Sequence, residues 1–237
     1  MKKQIVGLCL VMASLWVSAA CASSVGQAIS ADEALQKLLE GNKQFADSKM
    51  TLSEHSGAAN RAALAKTQKP YAIVLSCSDS RVPPEIIFDK GLGEIFVVRV
   101  AGNIPDPVIL GSIEYAAEHL GSPLIMVLGH ERCGAVTAAV TSKGKSTGSP
   151  NIDAIVKNIN PSVKQAAKDC EACKGESKCA DKKKDDFVEC VVSDNAKYVA
   201  ANLTKNSKIL KHLSEEGKIK IVAAKYDLDD GVVSLLK

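Results

Sequence analysis

Two short apolar runs, each ending in side chains that can hold a metal, constrain this chain more than anything else in it. YAIVLS (Tyr71 to Ser76) runs directly into Cys77-Ser-Asp-Ser-Arg81, and LIMVLG (Leu124 to Gly129) runs directly into His130-Glu-Arg-Cys133. Continuous runs of this length, rich in Val, Ile and Leu, read as strands buried on both faces, the habit of a parallel sheet. Parallel neighbours bring their carboxyl ends to one edge, where open α/β folds place their sites. Cys77, His130 and Cys133 then converge. Two thiolates and one imidazole leave one position of a tetrahedral zinc free, which is the ligand set of a catalytic centre rather than of a closed structural one. Asp79 offers a carboxylate beside that metal, and Arg81 a cation to keep it ionised and oriented.

Further apolar runs at Ile95 to Val100 and Lys218 to Ala224 supply two more strands, and VVSLL after the Asp229 to Gly231 turn supplies an antiparallel edge strand. Helical patterns fall between them, at Val108 to Leu120, Gly134 to Ser142, Ile152 to Lys168 and Asp186 to Lys205. Ser30 and Glu33 form a capping box for an N-terminal helix that carries Ala34, Leu35, Leu38 and Leu39 on one side. That helix is expected to stop near Gly41-Asn42 or to resume as far as Phe45. Met50 to Pro70 reads as a polar loop with a short helix at Ala58 to Ala65. The fold class is therefore α/β, with a parallel-dominated central sheet flanked by helices, an N-terminal helical arm and a Cys-rich insert at about 169–190. At 237 residues, 46% of them hydrophobic, the chain suits one domain with a sizeable core.

The first residues stand outside that domain. Lys2 and Lys3 precede an apolar run from Ile5 to Val17 that ends in small residues at Ala20-Cys21-Ala22, the layout of a secretory signal peptide. Residues 1–22 are read as a cleaved signal and 23–237 as the single mature domain, exported and periplasmic. The alternative is a lipoprotein anchored through Cys21, with Ser18 where the lipid-attachment motif usually has an aliphatic residue; only this would bring the protein to a membrane. The net charge of +3 includes both signal lysines, so no basic surface for nucleic acid is implied. Export bears on the eight cysteines. Cys170, Cys173, Cys179 and Cys190 form an even, local set that reads as two disulfides in an oxidising compartment, with a Cys170–Cys173 redox pair or a second zinc as alternatives.

The motifs CSDSRVPPE (Cys77 to Glu85), GEIFVVRVAGN (Gly93 to Asn103), GSIEYAAEHLG (Gly111 to Gly121) and GHERCGA (Gly129 to Ala135) occur in this order. In them the chain resembles the β-class carbonic anhydrases over most of residues 30 to 142, with a weaker echo at YDLDDG (Tyr226 to Gly231). The resemblance implies one Zn2+ per chain on Cys77, His130 and Cys133, and reversible hydration of carbon dioxide to bicarbonate by a zinc-activated hydroxide. It makes Asp79 and Arg81 the catalytic dyad, with Asp79 as a fourth ligand in a closed, inactive form. It also implies a homodimer or higher oligomer, with the pocket at the subunit interface and the N-terminal helix packed across the partner, although that helix fits covering its own core equally well.

Gln68 stands where one branch of that family has a substrate-binding glutamine, and Val74 stands where the bicarbonate-inhibited branch has a tryptophan, so the simpler branch is implied. Gly134 lets the backbone approach a bound oxygen. Arg99, in an otherwise buried strand, calls for a carboxylate partner. His55, His119 and His212 read as surface or structural histidines, Glu131 as a helix-start acid and Arg132 as a surface base. Two rival readings share these motifs: the same zinc site acting on carbon disulfide or carbonyl sulfide, and a non-enzymatic zinc-binding envelope protein, which would need the ligands but not Asp79 and Arg81.

Overall fold

The computed structural model describes residues 29–169 and 181–237. The expected signal at 1–22, with Cys21, and Cys170, Cys173 and Cys179 lie outside the described residues. The strands are β1 (Ala72–Ser76), β2 (Ile95–Arg99), β3 (Leu124–His130), β4 (Lys220–Tyr226) and β5 (Val233–Leu236). They form one sheet in the order β2-β1-β3-β4-β5. Every pairing is parallel except that of β5, which returns antiparallel to β4 as an edge strand.

Alternation along the strands divides the core. Ala72 and Val74 of β1, with Leu124, Met126 and Leu128 of β3, face α1 (Ala31–Ala46), α3 (Pro84–Ile87), α5 (Gly134–Ser142) and α6 (Pro150–Asp169). Ile73, Leu75, Ile125 and Val127 face α4 (Pro107–Glu118) and α8 (Lys208–Glu215). Helix α7 (Asp181–Asn206) serves both sides: Val188, Val191 and Val192 join the first cluster, and Ala196, Val199 and Leu203 the second. Gly129 permits its approach to β3, because a Cβ there would meet Val192 Cγ1 at 3.3 Å and Ala196 Cβ at 3.4 Å. The two-sided burial is what the continuous apolar strands require.

The capping box of α1 forms: Ser30 Oγ accepts Glu33 N–H at 3.2 Å, and Glu33 Oε2 accepts Ser30 N–H at 2.7 Å. Ala34 and Leu38 are buried in the chain's own core, whereas Leu35 and Leu39 line an outer groove. The helix does not stop at Gly41-Asn42 but runs through to Ala46. Here packing overrides the breaking tendency of the pair. Gly41 lies so close to the Phe88 carbonyl oxygen that a Cβ would sit 1.8 Å from it. Asn42, 4% exposed, donates to Ile87 O and Gly231 O and accepts Val233 N–H at 2.8 Å. One buried amide thus ties α1 to α3 and β5.

The short helix expected at Ala58 to Ala65 is α2 (Ala58–Leu64). Two helices are not anticipated by the pattern. α3 is a single turn after Pro83, and α8 is separated from α7 only by Ser207, whose side chain accepts Leu210 N–H at 3.0 Å. β3 also runs further than its apolar stretch and ends on His130 itself. Cys190, on α7, is disulfide-bonded.

Asn42→Ala removes all three contacts and leaves buried backbone groups unpaired. The urea midpoint should fall by the equivalent of about 3 kcal/mol, with the denaturant slope unchanged, when compared at equal protein concentration.

Candidate metal centre

Strand register builds the centre. Ser76 of β1 is level with Leu128 of β3, so Cys77, the next residue, emerges close to the height of His130. Beyond His130 the chain turns through Arg132, at φ +50°, and delivers Cys133 as the N-cap of α5. Cys77, His130 and Cys133 are all buried, and their ligand atoms lie within 4.8 Å of one another.

His130 Nδ1 lies 2.8 Å from the Glu131 carbonyl oxygen. A carbonyl can only accept, so this contact places the ring proton on Nδ1 and leaves a lone pair on Nε2. Among the described residues that Nε2 is buried without a hydrogen-bond partner, 4.0 Å from Asp79 Oδ2. An orphaned nitrogen facing two sulfurs is a costly arrangement in an apolar setting unless something binds there, and the donor set suits a borderline-soft cation.

The sulfurs are coupled. A hydrogen bond from Cys133 holds the Cys77 thiol well below the ordinary range, against its burial and helped by the N–H groups of Gly102 and Asp79. The same contact with Cys77, together with burial, pushes Cys133 up, against the N–H groups of Val136 and Ala135. A divalent cation would take the place of the shared proton.

Asp79 is gripped by one residue. Arg81 donates from Nε to Oδ1 at 2.9 Å, from Nη2 to Oδ2 at 2.8 Å and from its backbone N–H to Oδ1 at 3.0 Å. The Arg81 guanidinium holds this carboxyl well below the usual carboxylate range, outweighing partial burial.

Arg99 corrects an expectation. Its partners are carbonyls rather than a carboxylate: Nε donates to Cys77 O at 2.9 Å and Nη2 to Asp79 O at 2.6 Å. It clamps the loop that carries the first ligand. The signal was present as a charge in a buried strand, but its target depended on a loop the strand pattern does not describe.

The structure does not bring the other candidates together. Gln68 is exposed, precedes β1 at the amino edge of the sheet, and lines a cavity of about 620 Å³ with Arg61, Leu64, Tyr115 and Leu120 that includes none of the three ligands. Gly134 begins α5 next to Cys133, and a Cβ there meets nothing within 4 Å. Arg132 is no idle surface base, since it forks Asp229 at 2.8 and 2.9 Å, and Glu131 pairs with Lys225 at 3.3 Å. His119 and His212 lie beside Glu118 and Glu216, away from the centre.

A parallel α/β sheet with a Cys-His-Cys group and an Asp-Arg fork at its carboxyl edge defines a metal-enzyme class of site. Comparison narrows the class. A family model described as carbonic anhydrase matches residues 72–233. Carbonic anhydrase 2 of Mycobacterium tuberculosis is 40% identical over 199 residues, covering 84% of this chain and 89% of that protein. Among solved structures, a Coccomyxa β-carbonic anhydrase in complex with acetazolamide superposes with a TM-score of 0.64 at 26% identity, over 85% of this chain and 86% of that one. One of two tetrameric β-carbonic anhydrases of Sordaria macrospora gives 0.63 at 24% identity, over 86% and 97%. The chain belongs to the β-carbonic anhydrase family.

Removing the Arg81 side chain tests the fork. In Arg81→Ala the Asp79 carboxyl should titrate closer to the ordinary value, ~3.9, by carboxyl 13C NMR. Because the folded value is depressed, its contribution to stability is present above ~3.9 and is lost as pH falls below it. The stability gap between wild type and Arg81→Ala should therefore narrow from pH 6 to pH 3.

Proposed function

We propose that this carbonic anhydrase hydrates carbon dioxide reversibly at one Zn2+ held by Cys77 Sγ, His130 Nε2 and Cys133 Sγ. The observation that carries this is the buried, unpartnered His130 Nε2 facing two thiols beside an ionised Asp79. When bound, zinc supplies Lewis acidity that brings the ionisation of a water toward neutral pH.

The chain's own residues do the rest. Asp79, held ionised by Arg81, accepts a hydrogen bond from an oxygen placed at the centre and so aims that oxygen's lone pair. The threefold grip of Arg81 favours the open arrangement, in which Asp79 stays off the fourth metal position. Gly134 leaves free space next to Cys133 for the substrate. Two thiolates offset more of the metal's charge than neutral imidazoles do, so activity is expected to rise above neutral pH. A non-enzymatic zinc protein would leave the Asp79–Arg81 fork without a role.

Gln68 lies at the opposite edge of the sheet from its own chain's ligands, so a role at the centre requires the Gln68 of a second copy. The tetrameric description of the Sordaria relatives supports an oligomer in general. Export to the periplasm remains our reading of the N-terminal pattern, and the disulfide-bonded state of Cys190 fits the reading of disulfides in the insert.

Stopped-flow hydration by the zinc-loaded protein should rise from pH 6 to pH 9 and fall about 100-fold in Asp79→Ala. A profile flat across that range would contradict the thiolate argument. Gly134→Ala should leave the melting temperature unchanged or slightly raised, since alanine suits a helix start, while kcat/KM falls as the methyl crowds the substrate.

A further inference from the structure

The ligand residues lie on two separate segments, the loop after β1 and the turn from the end of β3 into α5, and both are tied to α7. On the His130–Cys133 side, Glu189 Oε1 accepts the backbone N–H of Arg132 at 2.7 Å. Arg132 is the left-handed residue between the two ligands, a conformation a non-glycine residue keeps only when its surroundings enforce it. Lys225 stands 3.5 Å from Glu189 Oε2, which keeps the carboxylate turned to the loop.

On the Cys77 side the link is a buried relay. Asn195, 1% exposed, donates from Nδ2 to Gly102 O at 2.9 Å, and its Oδ1 accepts Ser162 Oγ at 3.3 Å. The N–H of Gly102 in turn donates to Cys77 Sγ at 3.4 Å. Gly102 cannot be replaced without cost, since it sits at φ +71° and a Cβ would meet Ile159 Cδ1 at 2.8 Å. Asn195 therefore fixes the residue whose N–H meets the sulfur.

We propose that Glu189 and Asn195 are positioning residues through which α7 holds the two halves of the ligand set at metal-binding separation. Neither touches metal or substrate. The inference rests on the reading that Cys77, His130 and Cys133 bind zinc. Groups that orient ligands in this way typically change metal affinity 10- to 100-fold when removed. Packing alone would predict loss of stability without a change at the metal.

The test uses the full mature chain loaded with Zn2+ or Co2+. Zinc affinity is measured by competition with a chromophoric chelator, the thiolate-to-cobalt charge-transfer band by absorption, and the melting temperature alongside. Glu189→Ala and Asn195→Ala should each weaken zinc binding about 10- to 100-fold and shift or weaken the cobalt band. Glu189→Gln retains an acceptor oxygen and should stay near wild type. Wild-type affinity and band in both alanine variants, with only the melting temperature lowered, would overturn the proposal; so would Glu189→Gln losing as much as Glu189→Ala. If Asn195→Ala does not fold, the Glu189 pair decides. A wild-type protein that takes up no zinc and shows no cobalt band would instead overturn the metal reading, and this inference with it.

Discussion

Parallel pairing of β1 with β3 brings Cys77 and His130 to one height at the carboxyl edge of the sheet, and it does so by main-chain hydrogen bonding that leaves no freedom in register. A one-residue slip would reverse the facing of every side chain on one strand and send one of these ligands away from the other. The group so assembled is buried, and among the described residues His130 Nε2 has no hydrogen-bond partner. The surrounding polar contacts follow from that burial. Cys77 collects N–H groups from Gly102 and Asp79, Cys133 collects them from Val136 and Ala135, and Glu131 O fixes the imidazole tautomer.

Around this apolar-walled group the cations are each committed to a partner. Arg81 forks Asp79, Arg99 clamps the Cys77 and Asp79 carbonyls, Arg132 forks Asp229, and Lys225 lies between Glu131 and Glu189. Exposed pairs of this kind add little stability. Their effect is geometric: Arg81, Arg99 and Lys225 fix a backbone or carboxylate position within two residues of Cys77, His130 or Cys133, and Arg132, itself between His130 and Cys133, is anchored to Asp229. α7 extends the same logic, bracing both ligand loops from one rigid element.

Much of this was legible in the residues. The four parallel strands and the antiparallel edge strand announced themselves as apolar runs, and the candidate ligands could be picked out because each set directly follows such a run. The helix α5 at Gly134–Ser142 matches its pattern end to end. Where local signals misled, tertiary contacts had replaced them. Gly41 and Asn42 look like a helix end, yet the helix continues, because the glycine makes room for Phe88 O and the asparagine satisfies three buried backbone groups. Arg99 looks like half of an ion pair, yet two carbonyls with no sequence signature neutralise its donors.

By itself, then, the order of residues determined the α/β class, the parallel-dominated sheet and the choice of Cys77, His130 and Cys133 as candidate ligands beside the Asp79–Arg81 pair, since periodicity and residue chemistry are local properties of a chain. Only the tertiary structure decided that His130 turns Nε2 toward the two sulfurs, that Gln68 stands at the opposite edge of the sheet from Cys77, His130 and Cys133, and that Glu189 and Asn195 hydrogen-bond to Arg132 and Gly102. The His130 tautomer follows from its neighbour Glu131, whereas the other two depend on how distant segments pack. No local pattern encodes which carbonyl, N–H or edge a side chain will meet once helices and strands have packed.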